Sequence, residues 1–250
     1  MSTSGNVAFV TGVSRGLGEA LAARLLAAGW SVAGLSRSAP ATLAGPRFTW
    51  VEADLGDVAM ATAAMLAAMR RAATPMPARA LLVNNAAMAE PVGRMGELAV
   101  GALAASLAVN LVAPTALANA FCATFADARI ARRVINVTSG LAGRAISGAS
   151  LYSIGKCGME MLTRALAIDH PEHGFAAVTL RPGIIDTAMQ VFMRSRSSEE
   201  LPDVGMFRSF HDDGQLVAAD RVAEVTIARL VDRDVESGRT YNYAELAAGT

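Results

Sequence analysis

One helical turn of this sequence carries both a phenol and an ammonium group. Tyr152 and Lys156 are four residues apart in a segment with helical periodicity, so their side chains share one face. A phenol with an ordinary pKa of about 10 is a poor acid at neutral pH, and a nearby cation lowers that pKa by stabilising the phenolate. Taken alone, the pair is equally typical of an amphipathic helix whose lysine reaches toward solvent.

A second hydroxyl group follows the predicted strand that precedes this helix. The strand covers Arg133 to Thr138, and Ser139 comes directly after it. Hydroxyl groups of serine and tyrosine that converge on one point can hold a carbonyl oxygen and stabilise the charge that develops there. Together with Tyr152, Ser139 therefore predicts acid–base chemistry at a carbonyl or alcohol.

A glycine-rich turn near the start of the chain predicts a phosphate site. An apolar strand, Val7–Val10, precedes it, and an Ala/Leu-rich helix follows from Glu19 to Ala28. The glycines between them are Gly12, Gly16 and Gly18. Glycine permits positive φ and close approach of the backbone, while the free amides and the dipole of the helix attract an anion. The spacing also occurs in ordinary turns, and its position between strand and helix favours the phosphate site.

Short apolar strands alternate with helical segments along the chain. The predicted strands are Val7–Val10, Ser31–Ser36, Phe48–Ala53, Ala80–Val83, Arg133–Thr138, Phe175–Leu180 and Arg239–Tyr243. This alternation predicts an α/β, doubly wound Rossmann fold, with a single parallel sheet of about seven strands and helices on both faces. No repeat or linker interrupts it, so one domain is expected over residues 1–250. Ligands of such sheets bind beyond the carboxyl ends of the strands.

Charge and cysteine content argue against several kinds of partner. Lys and Arg number 22 and Asp and Glu number 22, a balance that favours neither nucleic acid nor an anionic membrane surface. The two cysteines lie in helical patterns, so we expect no disulfide framework and a cytoplasmic protein. Residues 1–6 contain no basic residue and no long apolar run, so no secretory signal is expected. No metal site is expected.

An uncharged segment between Glu97 and Asp127 is long enough to span a bilayer. Asn110, Pro114 and Asn119 interrupt it, and its many alanines insert poorly. We therefore expect a helix of a soluble protein, buried in the core or in an oligomer interface and bent or divided at Pro114.

The order and spacing of these features resemble those of the short-chain dehydrogenase/reductase family over essentially the whole chain. The matching segments are Thr11–Gly18, Asn84–Ala87, Asn110, Ser139, Tyr152 with Lys156, and Pro182–Gly183. One departure is Ala87, which stands where the family has glycine. A methyl group there limits positive φ and would crowd the ribose of a cofactor.

The resemblance implies a nicotinamide cofactor and gives each matching residue a role. Tyr152 would donate the proton in reduction, Lys156 would hold the nicotinamide ribose and tune Tyr152, and Ser139 would orient the substrate oxygen. Asn110 would position a water in the proton relay; the alternative is a buried amide that satisfies a bent helix. The implied cofactor-binding residues are Gly12, Ser14, Arg15, Gly16, Leu17, Gly18, Ser36, Arg37, Asp54, Leu55, Asn85, Ala86, Tyr152, Lys156, Pro182, Gly183, Ile185 and Thr187.

Within that set, Thr187 would meet the nicotinamide carboxamide and Asp54 the adenine, unless Asp54 is a plain loop residue.

The end of the second strand favours NADP(H) over NAD(H). A carboxylate at that point would bind the ribose 2′-hydroxyl of NAD, whereas the sequence reads Leu35-Ser36-Arg37-Ser38. Arg37, with Arg15 from the glycine turn, would instead pair with a 2′-phosphate.

Four shorter segments resemble the branch of the family that contains sepiapterin and benzil reductases. They are Leu35–Arg37, Asp186–Gln190, Phe207–Arg208 and Gly238–Tyr241. This resemblance implies an NADPH-dependent carbonyl reductase whose substrate is a ketone beside another carbonyl, such as a 1,2-diketone. Two alternatives remain: a 3-oxoacyl thioester reductase of fatty-acid or polyketide metabolism, and a non-catalytic NADP-binding regulator.

The substrate would be covered by a flap over residues 186–213, in which methionine and phenylalanine supply apolar area. Its polar part, Arg194 to Asp213, has no clear periodicity and is expected to be mobile. The family also implies a homodimer or homotetramer. An uncharged face consistent with such an interface contains Leu103, Leu107, Leu111, Phe121 and Phe125.

Overall fold

Seven parallel strands form one sheet in the order β3-β2-β1-β4-β5-β6-β7. The strands are β1 (Val7–Thr11), β2 (Ser31–Ser36), β3 (Phe48–Glu52), β4 (Arg79–Asn84), β5 (Ala131–Val137), β6 (Phe175–Arg181) and β7 (Thr240–Asn242). The structure is a computed structural model that describes residues 5–249. The predicted doubly wound parallel sheet is confirmed. The structure does not describe residues 1–4 and 250. The expectation of one domain over residues 1–250 and that of no secretory signal in residues 1–6 fall in part on these positions, outside the described residues.

Helices cover both faces of the sheet. They are α1 (Gly16–Ala27), α2 (Val58–Ala72), α3 (Val100–Leu107), α4 (Ala113–Thr124), α5 (Ser150–Asp169), α6 (Ala188–Arg194), α7 (Val204–Asp212), α8 (Ala219–Thr226) and α9 (Tyr243–Ala248). Buried side chains of α2, α4 and α5 pack on one face, and those of α1 and α8 pack on the other. The strands are buried from both sides, which explains their nearly continuous apolar sequences.

Two phenylalanines of the uncharged face lie in the core, which is one of the two places that the sequence left open for this segment. Phe121 and Phe125 are fully buried, and their rings contact that of Phe9 on β1, with centroids 6.3 and 5.6 Å away. The helix turns these two side chains toward the sheet, where they bury large apolar areas, so they cannot contribute to an oligomer interface. Leu103 and Leu107 are half-buried.

The uncharged segment forms one long helix with a widened turn in its middle. A π-helical turn, Ala108–Val112, joins α3 to α4 directly before Pro114. Proline lacks an N–H and crowds the preceding turn, and the wider turn accommodates it. Among the described residues, Val100–Thr124 is the helix whose length and mean hydropathy of 1.8 would allow it to cross a membrane. Only 28% of its most apolar window is buried by the rest of the chain, so the expected burial is met only in part.

The segment expected to be a structureless flap contains a helix. Helix α7 presents Val204 and Phe207 to the body of the protein, where both are buried. Arg208 donates hydrogen bonds to the carbonyls of Arg194 (3.3 Å) and Arg196 (3.0 Å), beyond the end of α6. The expectation overlooked α7 because two apolar residues three positions apart make too weak a periodic signal.

Candidate active site

The glycine turn joins β1 to α1 with no room for side chains. Gly12 and Gly16 have φ of +77° and +65°, which favour glycine. A Cβ at Gly18 would lie 2.2 Å from the Gly12 carbonyl oxygen, so the helix starts in backbone contact with the turn. Arg15, the N-cap of α1, makes no capping hydrogen bond with its side chain. The first amides of α1 therefore remain available to an anion.

Side chains at the end of β4 hold this turn in place. The hydroxyl of Thr11 accepts hydrogen bonds from the backbone N–H groups of Asn85 (2.9 Å) and Ala86 (3.0 Å), while the Asn85 amide donates to the Thr11 carbonyl at 2.9 Å. Asn85 and Ala86 thus adjoin the turn, as expected of cofactor-binding residues. Every described residue with positive φ is a glycine, so Ala87 occupies its position without that strain, and it packs beside an apolar cluster.

The ends of β1, β2 and β3 lie together at the edge of the sheet. The Gly12 N–H donates to the Leu35 carbonyl at 2.7 Å, which brings the glycine turn beside the end of β2. The hydroxyl of Ser36 is nearly buried and is held by the Ser38 carbonyl (2.8 Å) and by the indole N–H of Trp50 (3.2 Å).

The two arginines expected to bind a 2′-phosphate are exposed at this edge. Arg37 lies 4.0 Å from Asp54, an acid that comes from the end of β3 rather than β2. Asp54 also accepts the Gly56 N–H at 2.9 Å, as a loop residue does, and its neighbour Leu55 is buried. The pair of Arg37 and Asp54 is exposed and long, so it stabilises the fold little and leaves the guanidinium free to bind another anion. Arg15 is exposed as well.

Tyr152 and Ser139 meet at the carboxyl end of β5. Tyr152 points inward from the first turn of α5 and is 9% exposed. Burial raises the pKa of its phenol to about 12, and a hydrogen bond with Ser139 opposes that rise. The Ser139 oxygen also accepts the Leu141 N–H at 3.2 Å, which fixes its position. The two hydroxyls are therefore close enough to hold one oxygen atom between them.

Lys156 lies one turn further along α5 and is 2% exposed. Its ammonium donates to the Val137 carbonyl at 2.9 Å and lies 5.7 Å from the centre of the Tyr152 ring. Burial lowers the pKa of Lys156 to about 8. The expected lowering of the Tyr152 pKa by this ammonium is not seen: loss of water around the phenol raises the pKa, and the group that opposes the rise is Ser139 rather than Lys156.

The side chain of Asn110 is hydrogen-bonded to the loop that follows β4. It accepts the Met88 N–H at 3.0 Å, and its amide donates to the Met88 carbonyl at 2.9 Å and to Ser106 at 3.2 Å. Asn110 is 1% exposed and lies in the π-helical turn. Asn110 is thus a buried amide whose two bonds to Met88 hold a loop, with one further bond to Ser106 in its own helix. The role in a water relay stays a prediction.

The segment after β6 completes the site opposite the glycine turn. Pro182 is buried, Gly183 has a φ of +75°, and Ile185 is partly buried. Thr187, the N-cap of α6, faces Gly16 so closely that a Cβ at Gly16 would meet its methyl group at 3.4 Å. The uncapped amides at the start of α1 lie opposite this segment, and they can bind the phosphates of a dinucleotide. The residues present therefore suit the implied cofactor.

An apolar cluster surrounds the Tyr152 side chain. Its buried members are Ala89, Leu141, Ile146, Ala149, Met193, Leu201, Val204 and Phe207. They come from the loops after β4 and β5, from α6 and α7 and from the segment between these two helices, so the segment over residues 186–213 packs directly against the site. Leu141 and Ile146 were missed by sequence reasoning, although their place just after Ser139 could have indicated them.

Sequence reasoning also missed a pair of charged residues behind the site. Glu160 follows Lys156 by four residues on the same face of α5 and is buried. Its two oxygens accept hydrogen bonds from Arg181 at 2.7 and 3.0 Å. The spacing of Tyr152, Lys156 and Glu160 was the available signal. Among the described residues, no group of three His, Cys, Asp or Glu side chains could hold a metal ion.

The short chain dehydrogenase profile matches residues 6–198 of the sequence. The chain belongs to the short-chain dehydrogenase family. It is therefore an oxidoreductase of a family that uses a nicotinamide cofactor and acts on alcohol and carbonyl groups, and Ser139, Tyr152 and Lys156 lie within the matched segment.

Relatives match nearly the whole of this short-chain dehydrogenase. Benzil reductase ((S)-benzoin forming) from Bacillus subtilis (strain 168) is 30% identical over 94% of this chain and 97% of its own length. Sepiapterin reductase from Meriones unguiculatus is 29% identical over 93% of this chain and 94% of its own. A short-chain dehydrogenase from Burkholderia cenocepacia J2315, solved in complex with NADP, is 27% identical, with a TM-score of 0.74 and 97% of each chain covered.

Proposed function

We propose that this chain is an NADPH-dependent carbonyl reductase that reduces one carbonyl group of a 1,2-diketone or a similar dicarbonyl compound. The observation that carries the proposal is that the side chains of Tyr152 and Ser139 lie together at the end of β5, beside an apolar cluster. Two hydroxyl groups there can grip a carbonyl oxygen while the cluster takes up apolar substituents.

The chemistry divides between the cofactor and three side chains. The cofactor, when bound, supplies the hydride that adds to the carbonyl carbon. Tyr152 donates its phenolic proton to the carbonyl oxygen, and Ser139 holds that oxygen with a hydrogen bond as negative charge develops on it. Lys156, protonated at neutral pH, stabilises the phenolate that remains. The phenol, with its pKa raised to about 12, holds its proton at neutral pH and so has one to donate in the reduction.

The choice of NADP(H) rests on charge. Arg15 and Arg37 are exposed near the ends of β1 and β2, and no acid ends β2. Asp54 is a weak competitor for Arg37 at 4.0 Å, and a doubly charged phosphate would bind the guanidinium more strongly. The NADP complex of the Burkholderia cenocepacia relative is consistent with this choice.

The substrate class rests on the lining of the site and on the relatives. Leu141, Ile146, Met193 and Phe207 offer apolar and polarisable contacts suited to aryl or alkyl groups that flank a dicarbonyl. Relatives named for benzil and sepiapterin reduction cover nearly the whole chain, and benzil is a 1,2-diketone.

A substrate panel tests the proposal. Consumption of NADPH and of NADH is followed with benzil, sepiapterin and a 3-oxoacyl thioester, using the wild type and Tyr152→Phe. We expect turnover of the dicarbonyl compounds with NADPH, and loss of turnover with retained NADPH binding in the variant. Equal or better turnover of the thioester would favour the fatty-acid or polyketide alternative. No turnover of any carbonyl compound would favour the non-catalytic regulator.

We also propose that the protein acts in the cytoplasm on small molecules, without nucleic acid or membrane partners, as a homodimer or homotetramer. Val112 on the long helix and Ile154 and Met161 on α5 are exposed apolar side chains that a second copy would cover. Light scattering after gel filtration should give a mass of two or four chains. A monomer would contradict the assembly.

A further inference from the structure

Three consecutive residues at the end of β5 are each tied to one face of α5. The Val137 carbonyl accepts from Lys156 at 2.9 Å, and the side chain of Ser139 adjoins that of Tyr152. Between them, the Thr138 hydroxyl donates to Glu160 at 3.3 Å. The three partners on α5 are spaced by four residues, so one helical face is fastened to one strand end at three successive points.

Glu160 extends this connection to the next strand. Its oxygens accept from the Nε and Nη2 atoms of Arg181, at 2.7 and 3.0 Å, which is a bidentate pair. Arg181 is the last residue of β6 and directly precedes Pro182, where the segment facing the glycine turn begins. Glu160 is 7% exposed, so its carboxylate depends on Arg181 for a charged partner.

We propose that Glu160 and Arg181 are positioning residues for the reaction. Their ion pair fixes the position of α5 along its own axis relative to the ends of β5 and β6. It thereby holds Tyr152 and Lys156 in register with Ser139. Neither residue contacts the carbonyl group or donates a proton to it. The inference rests on the proposed function only in the roles given to Tyr152, Lys156 and Ser139.

The kinetic test compares Glu160→Gln with a matched control. The control is Glu172→Gln, which removes the carboxylate that accepts from Arg132, a buried arginine at the opposite end of β5, at 2.9 Å. Because displacement of a reacting group by about 1 Å costs up to about a hundredfold in rate, we expect Glu160→Gln to lower kcat about tenfold with KM within about twofold. The control should keep kcat within about twofold. A kcat for Glu160→Gln as high as the control's overturns the proposal.

A conservative variant distinguishes a loss of positioning from a loss of folding. Arg181→Lys keeps the charge and loses the two-point geometry, so it should fold and lower kcat by about threefold to fivefold, because a single point of contact positions less well. Full activity in Arg181→Lys with a normal melting temperature would overturn the proposal. So would a fall in kcat that follows the melting temperature equally in Arg181→Lys and in Glu172→Gln.

A spectroscopic test needs no turnover. Lys156 is the only lysine of the 250-residue chain, so isotope-labelled lysine gives a single side-chain NMR signal from the site. We expect Glu160→Gln to move that signal, since the Val137 carbonyl that Lys156 contacts adjoins Thr138, and Glu172→Gln to leave it in place. If the wild type reduces no dicarbonyl and the signal still moves, the proposed function fails and the positioning role stands. An unmoved signal in Glu160→Gln overturns the positioning role whatever the substrate.

Discussion

Replacing Lys156 with methionine should stabilise the fold relative to the wild type by an amount that depends on pH. Burial lowers the pKa of Lys156 from its ordinary value of 10.5 to about 8. At about 1.36 kcal/mol for each pKa unit, a charged Lys156 costs the folded state about 3 kcal/mol. Loss of the hydrogen bond to Val137 offsets part of the gain, by about 1–2 kcal/mol at every pH.

The direction of the pH dependence of stability follows from whether the folded or the unfolded chain binds the proton on Lys156. Below about pH 8 the amine is charged in both the folded and the unfolded chain, so the full cost is present. Between about pH 8 and 10.5 only the unfolded chain holds the proton, and the stability of the wild type rises with pH. Methionine has no such dependence, so the advantage of the variant should shrink by about 3 kcal/mol between pH 7 and 10.5.

Urea unfolding of both proteins at several pH values between 7 and 10.5 measures this difference. The phenol of Tyr152, with its pKa raised to about 12, stays protonated in the folded form of both proteins, and its effect cancels in the comparison. NMR titration of the single lysine gives the same quantity directly, with a midpoint expected near pH 8. A difference in stability that stays constant across this range, or a midpoint at the ordinary lysine value, would refute the reasoning.

Three further predictions concern the hydroxyl pair, the glycine turn and the buried amide. Ser139→Ala should lower kcat about a hundredfold or more, because a hydrogen bond to the developing charge is lost, and NADPH affinity measured by fluorescence should change little. Gly18→Ala should abolish NADPH binding and lower the melting temperature, because its Cβ would lie 2.2 Å from the Gly12 oxygen; Gly101→Ala, with open space around it, is the control and should change neither. Asn110→Leu should lower the free energy of unfolding in urea by about 2–4 kcal/mol, because two backbone groups of Met88 lose buried partners. A wild-type kcat for Ser139→Ala, wild-type NADPH binding for Gly18→Ala or a wild-type free energy of unfolding for Asn110→Leu would contradict the corresponding contact.

The parallel sheet was predictable because its strands are buried from both sides and read as short apolar runs. Strand ends were placed to within about two residues, as for Arg133–Thr138 against the observed Ala131–Val137. The direction in which an all-apolar helix turns its side chains could not be predicted. With no charged residue between Glu97 and Asp127, nothing in the sequence marks which side of the helix carries Phe121 into the core.

In the site, residue types and spacing predicted which side chains meet but not what each one contacts. Tyr152, Lys156 and Ser139 converge because a helix and a strand end bring them together. The partner of Asn110 is a loop backbone, Met88, which no side-chain pattern can reveal. Asp54 reaches Arg37 from a neighbouring strand, and that contact exists only once β2 and β3 are paired.

The scarcity of lysine has a practical consequence for handling this protein. The only ε-amino group in the sequence sits behind Tyr152 and is 2% exposed, so the basic side chains on the surface carry guanidinium groups or imidazoles. Aldehyde resins and succinimide ester cross-linkers have no lysine to react with on the folded surface. A failure to cross-link an assembly with these reagents would therefore say nothing about its number of subunits. Reaction mapped to Lys156, as distinct from the N-terminal amine, would report the opening of the site, since this side chain is enclosed between helix α5 and the strand end.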